Sequence, residues 1–269
     1  MAAQEILSLF RGIGKEVRKI ALDFYGTDRA AGVVRNRGWD KTILIDDLCE
    51  KKIIRMLEAS GMGFTLASEE TGVRRLCGNP EYTIVIDPVD GSGNAERGIP
   101  FFCVSLAAAR DTLENTDVGY VMDLVHGNEY WAIKGKGSFQ DGKRIMPRAA
   151  KPPYYVTTFF YPEQERAYRR CALLLQSTSV KIRCYNATAL ELCLVAKGTL
   201  HGMFDMRGVN RVTDFAAGKL ILEEAGGIFS DHRGKPVDLK ADPEETSTVV
   251  AACCGAVHRH LLGLVDPKT

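Results

Sequence analysis

Apolar residues recur every three to four positions at the start of the chain, which predicts a helix with one face on a hydrophobic core. The residues of that face are Ile6, Leu7, Phe10, Ile13, Val17, Ile20, Ala21 and Phe24. A second helix is predicted from about Asp46 to a stop at Gly61. Residues 26–38, between the two helices, are basic and rich in turn formers, and we expect them to be exposed and mobile.

Short apolar runs bounded by turn residues predict the strands of the N-terminal half. These runs lie at residues 64–67, 83–86, 103–109, 118–122 and 129–133. Gly135, Gly137 and Asp141-Gly142 follow the last run, and residues of these types form tight turns. We therefore expect a β-meander in this part of the chain.

Pro147, Pro152 and Pro153 accompany a change of pattern, and we place a domain boundary there, between residues 1–150 and 151–269. Beyond the boundary, strands and helices alternate. The predicted strands lie at residues 155–160, 180–183, 201–205, 228–230 and 248–253, and the predicted helices at 163–175, 188–197, 214–225 and 257–264. Alternation of this kind favours a layered domain. The predicted fold class is therefore α/β, with an α+β N-terminal half and a layered α/β C-terminal half.

The composition narrows the possible partners. The chain is 45% hydrophobic with a formal net charge of +1, so it has no global field that would recruit nucleic acid or an anionic membrane. No apolar run of the sequence approaches the roughly 20 residues that span a bilayer. Glu5, Arg11 and Lys15 interrupt the N-terminal apolar positions, so we expect no export signal. The eight cysteines lack zinc-site spacing, and we expect reduced thiols in a cytoplasmic protein.

The clearest chemical motif follows the second predicted strand. That apolar strand ends in Asp87, turns at Pro88 and presents a second carboxylate at Asp90, and Gly91 and Ser92 come next. Proline fixes φ, so the two carboxylates are held in a defined turn. Glycine lets backbone N–H groups approach an anion. Two hard oxygen ligands beside a phosphate-sized nest indicate divalent-metal and phosphoryl chemistry.

Each acidic motif has an ordinary explanation when it is taken alone. The two aspartates could form a simple turn, and Glu69-Glu70 could be a solvated acidic turn after a short strand. Asp214 opens a predicted helix, where aspartate is a favoured N-cap. His258 and His260 suit the exposed face of a terminal helix and indicate no catalytic group.

The combination of these motifs is far more specific. A strand is followed by Glu-Glu, then comes Asp-Pro-Val-Asp-Gly-Ser, then a distant Thr-Asp before a helix that ends in Glu-Ala-Gly-Gly. This order resembles the inositol monophosphatase superfamily of magnesium-dependent, lithium-sensitive phosphatases, and the resemblance covers nearly the whole chain. It implies the αβαβα sandwich of the sugar phosphatases and a phosphomonoesterase that uses two or three Mg²⁺ ions.

The resemblance also implies roles for individual residues. The implied metal ligands are Glu69, Asp87, the carbonyl of Val89, Asp90 and Asp214. The implied catalytic residues, which orient and support an attacking water, are Glu69, Ser92 and Asp46. Ser92 stands where the family usually has threonine, and it keeps the hydroxyl group.

Candidate substrate contacts form two groups. Three residues at the expected helix start would contact the phosphate: Asp90, Gly91 and Ser92. Three arginines lie in the half that should face the leaving group and could bind a second phosphate bidentately: Arg183, Arg207 and Arg211. A surface position or an ion pair explains each arginine at least equally well.

Two departures from the family pattern bear on the substrate. Thr213 precedes Asp214 where the family usually has tryptophan, and Asn186-Ala187 replaces the usual Gly-Ser. Residues 205–214 look most like archaeal members, which combine inositol monophosphatase with fructose-1,6-bisphosphatase activity. We therefore expect hydrolysis of inositol monophosphate, fructose 1,6-bisphosphate or both.

Two alternatives stay open, a 3′(2′),5′-bisphosphate nucleotidase and a regulatory or binding relative without catalysis. Retention of every expected metal carboxylate favours an active enzyme. The expected partner is a small phosphate ester, with no nucleic acid and no membrane, and the resemblance implies a homodimer.

Overall fold

The computed structural model describes residues 3–27, 33–37, 40–147, 150–159 and 178–265. Within them the chain forms six α-helices and fifteen strands in a mixed α/β fold, which confirms the predicted fold class. The helix predicted at 163–175 lies outside the described residues, as does part of the segment 26–38. The described part of that segment is the strand Val33–Arg37 (β1), which pairs with Asp40–Ile43 (β2).

Eight strands of the N-terminal half form one sheet. They are Phe64–Ser68 (β3), Gly72–Arg75 (β4), Tyr82–Asp90 (β5), Cys103–Ala109 (β6), Thr116–Asp123 (β7), Glu129–Ile133 (β8), Ser138–Gln140 (β9) and Lys143–Ile145 (β10). The spatial order is β10-β9-β8-β7-β6-β5-β3-β4, and the expected meander occupies one end of it. β3 and β5 run parallel, whereas every other pair of neighbours in this sheet is antiparallel.

Both faces of this sheet are covered by helices. The helices of the described chain are Ala3–Phe24 (α1), Leu44–Ala59 (α2), Ser92–Arg97 (α3), Thr188–Ala196 (α4), Val212–Glu224 (α5) and Gly255–Val265 (α6). Successive strand residues point to opposite faces, so Ile84 and Ile86 pack in the core beneath α1 and α2. Val85 points the other way and packs in the core formed with α4 and α5.

The C-terminal half adds a second sheet on the far side of α4 and α5. Its strands are Tyr154–Thr158 (β11), Val180–Arg183 (β12), Gly202–Arg211 (β13), Ile228–Ser230 (β14) and Thr246–Ala252 (β15), in the order β12-β11-β13-β15-β14. α6 packs against β13 and β15. The layers are thus helices, sheet, helices, sheet and helix, which confirms the expected αβαβα sandwich.

The two halves are joined by direct hydrogen bonds as well as by a shared core. Glu224, at the end of α5, accepts the backbone N–H groups of Gly135 (2.6 Å) and Gly137 (2.7 Å) in the hairpin between β8 and β9. Ser138 donates its hydroxyl to the carbonyl of Ile221 in the same helix. The position of the domain boundary near residue 150 stays a prediction.

The two C-terminal histidines correct the sequence-based interpretation of this helix. His258 is buried (8% exposed), and its Nε2 lies 2.8 Å from the hydroxyl of Ser230 in β14. His260 pairs with Ser179 at 2.8 Å. The exposed placement was wrong because α6 lies flat on the second sheet and turns position 258 inward.

The seven cysteines in the described residues are all free thiols. In that same part of the chain, every helix is too short or too polar to cross a bilayer.

Candidate active site

Parallel pairing of β3 and β5 brings the predicted acidic motifs together. Ser68 pairs with Ile86, so the residues that follow in each chain, Glu69 and Asp87, emerge at the same edge of the sheet. Asp214 reaches this edge from the first turn of α5. Carboxylate oxygens of Glu69, Asp87 and Asp214 lie within 4.8 Å of one another. Motifs far apart in sequence therefore converge on one acidic cluster.

A bulge shapes the end of β5. Asp87 pairs with Ser105 and Asp90 with Cys103, so two residues of β5 lie opposite one residue of β6. Asp87 Oδ1 accepts the backbone N–H of Val89 at 3.0 Å, which fixes the turn around the proline. The sequence predicted that the strand ends at residue 86, but it continues through the bulge to Asp90.

Gly91 and Ser92 begin α3 directly after the bulge. Gly91 is its N-cap with φ 86°, and its carbonyl accepts the N–H of Asn94 at 2.8 Å. A Cβ at position 91 would lie 3.1 Å from the carbonyl oxygens of Phe101 and Asn186. Glycine is therefore required here both by its backbone conformation and by close packing.

Asp90 links the acidic edge to the C-terminal half. Its Oδ1 accepts the N–H of Thr188 at 3.1 Å and its Oδ2 accepts that of Ala189 at 2.6 Å, both in the first turn of α4. Cys103 Sγ lies 3.5 Å from the same carboxylate. Burial, followed by the charge of Asp214, raises the pKa of Asp90 to about 8.

The other clustered carboxyl groups also resist ionisation. Burial is the main cause of the strongly raised pKa of Asp87, and Glu69, Asp90 and Asp214 add like-charge repulsion. Burial raises the pKa of Asp214 to about 6, against the opposing effect of the N–H of Arg211. The free-energy cost of ionising buried carboxyl groups falls when a cation lies between them. Their hard oxygens suit a divalent ion, so this donor set fits the metal that the sequence implied.

Asp214 occupies a different helix position from the predicted one. It is the third residue of α5, and its Oδ2 accepts the N–H of the N-cap residue Arg211 at 2.9 Å. Its Oδ1 accepts the hydroxyl of Thr213 at 3.2 Å. The N-cap interpretation was wrong because β13 extends to Arg211 and the helix begins at Val212.

Asp46 lies behind the cluster and is buried in the first turn of α2. Burial raises its pKa well above the usual range, and the charges of Glu70 and Glu69 add to the effect. One turn along the same helix, buried Glu50 accepts the hydroxyls of Ser68 and, at 2.8 Å, Thr71. Glu50 thus holds the turn that carries Glu69, and sequence reasoning missed it. Its spacing of four residues from Asp46 on one helix face was the available signal.

The three predicted arginines differ in position. Arg211 Nη1 donates to Glu69 Oε1 at 2.9 Å, which places Arg211 at the acidic cluster. Arg207 forms an ion pair with fully buried Asp205, with Nη2 to Oδ2 at 2.5 Å, and its guanidinium lies 4.4 Å from the ring centroid of Phe159. Arg183 is exposed and lies 5.5 Å from the ring centroid of Tyr155.

This five-layer fold and its acidic edge define a metal-dependent phosphoric monoester hydrolase. The chain belongs to the inositol monophosphatase family, whose sequence model matches residues 4–265.

Individual relatives agree with this assignment. The chain is 31% identical to the fructose-1,6-bisphosphatase/inositol-1-monophosphatase of Methanothermobacter thermautotrophicus over 94% of each chain. It is 33% identical to the protein of the same name from Thermococcus kodakarensis over 88% of each. Among solved structures, a Pyrococcus horikoshii protein with similarities to inositol-1 monophosphatase aligns with a TM-score of 0.85 at 27% identity, covering 98% of this chain and 100% of that one.

Proposed function

We propose that this protein is a Mg²⁺-dependent phosphatase that hydrolyses inositol monophosphate and fructose 1,6-bisphosphate. The observation that carries the proposal is the convergence of Glu69, Asp87 and Asp214 within 4.8 Å at the edge of the parallel strand pair. The printed names of the two archaeal relatives support the choice of substrates.

The proposed metal ligands are five oxygen donors, from Glu69, Asp87, the carbonyl of Val89, Asp90 and Asp214. They would hold two or three ions, and the N–H groups of α4 keep both oxygens of Asp90 in a fixed orientation. Mg²⁺ bound there would make a water more acidic and neutralise charge on the departing ester oxygen.

The remaining roles belong to the chain itself. Glu69 and the hydroxyl of Ser92 orient the attacking water, and Asp46 supports the metal and water network. Backbone N–H groups at Gly91 and Ser92, where α3 begins, approach the phosphate oxygens. Attack by water needs no covalent phosphoenzyme, and we propose none.

The leaving group would face the C-terminal half. Arg211 is the best placed of the three proposed arginine contacts because it already lies against Glu69. Arg207 already forms an ion pair with Asp205 and neutralises its buried charge. Arg183 lies on the exposed surface beside Tyr155.

The family resemblance also supports a homodimer, and the free thiols fit a cytoplasmic location. Size-exclusion chromatography with light scattering tests the dimer: a mass near that of one 29.6 kDa chain would contradict it.

Phosphate release from a substrate panel tests the function directly. The panel contains inositol 1-phosphate, fructose 1,6-bisphosphate and adenosine 3′,5′-bisphosphate, each with Mg²⁺ and with a chelator. We expect Mg²⁺-dependent release from the first two, loss of activity in Asp90→Asn, and full activity in the control Asp23→Asn on the exposed surface of α1. Exclusive release from the adenosine compound would favour the nucleotidase alternative. Absence of release from all three would contradict the proposal.

A further inference from the structure

A carboxyl group is fully buried in the helix layer between the two sheets. Glu191 lies in α4 with 0% exposure. Its Oε1 accepts the hydroxyl of Thr157 at 2.7 Å and the backbone N–H of Tyr185 at 3.1 Å. Burial raises the pKa of Glu191 to about 8, against the opposing effect of Thr157 and of the N–H groups of Tyr185 and Asn186. These partners are neutral, and within the described chain Oε2 has no hydrogen-bond partner. Burial of a carboxyl group that has only neutral partners and one unpaired oxygen is unfavourable for folding.

Two of the partners of Glu191, Tyr185 and Asn186, belong to a strained turn. Asn186 has φ 61°, in the left-handed region that glycine enters freely and other residues enter at a cost. Asparagine tolerates this conformation better than most residues. A left-handed residue persists where its surroundings hold it in place. The carboxyl group of Glu191 contacts the turn from inside the core.

The same turn is connected at three points to the end of β5 and the start of α3. It leads into α4, whose first N–H groups, from Thr188 and Ala189, donate to Asp90. The carbonyl oxygen of Asn186 lies 3.1 Å from where a Cβ of Gly91 would stand. The side chain of Asn94 in α3 donates to the carbonyl of Tyr185 at 2.6 Å.

We propose that Glu191 is a positioning residue for the active site. It holds the turn 185–187 so that the N–H groups at the start of α4 orient Asp90 and the carbonyl oxygen of Asn186 packs against Gly91. The effect on catalysis rests on the proposed function, which makes Asp90 a metal ligand and Gly91 a phosphate contact. The effect on the turn itself does not depend on that function.

Three variants separate positioning from ordinary packing. Glu191→Gln keeps an acceptor oxygen in place, whereas Glu191→Leu fills the space without one. Leu192→Val, one residue further along the same buried helix, is the control for a general loss of packing. Calorimetric titration with Mg²⁺ alone should show affinity weakened by about 10-fold to 100-fold in Glu191→Leu, as for other residues that orient a ligand from behind. Glu191→Gln and Leu192→Val should bind Mg²⁺ nearly as wild type does.

A second substitution tests the link through Asn186. In the Glu191→Leu protein, Asn186→Gly should recover about fivefold in Mg²⁺ affinity because glycine removes the cost of the left-handed conformation. In the wild type, Asn186→Gly should change little, and Asn186→Ala should weaken binding. Asn186→Ala and Asn186→Gly in the wild-type background leave the core unchanged, so equal Mg²⁺ affinity in these two variants would overturn the link from the turn to Asp90 even if Glu191→Leu fails to fold.

Hydrogen exchange gives a readout that is independent of metal and activity. The amides of Thr188 and Ala189 should exchange slowly in wild type and Glu191→Gln, and quickly in Glu191→Leu. Unchanged exchange and Mg²⁺ affinity in Glu191→Leu would overturn the proposal, as would equal effects of Asn186→Gly in both backgrounds. If the wild type binds no Mg²⁺ while the exchange pattern holds, the proposed function fails and the positioning of the turn stands.

Discussion

Replacement of Gly91 by alanine should damage both the fold and the site. Gly91 has φ 86°, and an added Cβ would lie 3.1 Å from the Cβ of Ala187 and from the carbonyl oxygens of Asn186 and Phe101. Two of these three atoms belong to the backbone, so they cannot rotate away as a flexible side chain would. The substitution therefore forces the start of α3 and the turn before α4 apart.

The expected loss of stability has two parts. The left-handed conformation costs an alanine about 1–2 kcal/mol relative to glycine. Crowding in a packed region adds about 1–2 kcal/mol, toward the lower end of overpacking effects. Together these give a loss of roughly 2–4 kcal/mol in the free energy of unfolding for Gly91→Ala.

Gly93 supplies a matched control two residues away. It lies inside α3 with ordinary helical φ, and a Cβ there would meet nothing within 4 Å. Gly93→Ala should therefore raise stability by about 0.5–1 kcal/mol, because alanine loses less backbone entropy on folding.

Urea unfolding with and without Mg²⁺ measures the free energy of unfolding of both variants, which can be compared when the m-value is unchanged. Steady-state kinetics should show a large loss of kcat/KM in Gly91→Ala and a small change in Gly93→Ala. A Gly91→Ala protein as stable and active as wild type would refute the reasoning about this turn.

Three further tests address other contacts. Glu50→Ala should lower kcat by about tenfold or more, because loss of the acceptor loosens the turn that carries Glu69. Arg211→Ala should raise KM for fructose 1,6-bisphosphate more than for inositol 1-phosphate, since only the former has a second phosphate for the guanidinium to bind. In metal-free protein the raised pKa values of Asp90 (about 8) and Asp214 (about 6) mean that the folded state holds extra protons. Their contribution to stability is complete below the unfolded value of 3.8 and is lost as pH rises through about 6 and then about 8.

Each of these tests has its own contradicting result. An unchanged kcat in Glu50→Ala, with melting temperature as the control for folding, would show that the turn does not need the hydrogen bonds to Glu50. Equal KM changes on both substrates would remove Arg211 from specificity. Between pH 5 and 9 the melting temperature of chelated protein should fall more steeply with pH for wild type than for Asp90→Asn. Equal slopes would contradict the assigned pKa shift.

Sequence patterns located most helices and strands, because their buried residues recur with the period of the helix or strand itself. The stripe of α1 and the alternation around Ile84 in β5 both repeat with the spacing of their own structure. Aspartates after a β-branched strand also pointed to the acidic cluster, because a carboxylate at the edge of a core is costly unless a cation compensates its charge. The parallel pairing of β3 with β5 then supplied the convergence that the family resemblance implied.

What the sequence did not predict depends on partners that are distant in the chain. In the sequence Glu50 is one polar residue among others in an amphipathic helix. Only the folded chain brings it to Ser68, eighteen residues away. Glu191 likewise meets Thr157 of β11, 34 residues away, only in the folded chain. His258 was misplaced because periodicity identifies the face of a helix but not the depth at which that face packs.

Anomalous diffraction from a crystal soaked in Mn²⁺ tests the central claim most directly, because Mn²⁺ takes the oxygen ligands that Mg²⁺ prefers and is visible by its own signal. The account predicts an anomalous peak among the carboxylates of Glu69, Asp87 and Asp214, with Asp90 beside it. A well-ordered site with no peak at that position would contradict the account.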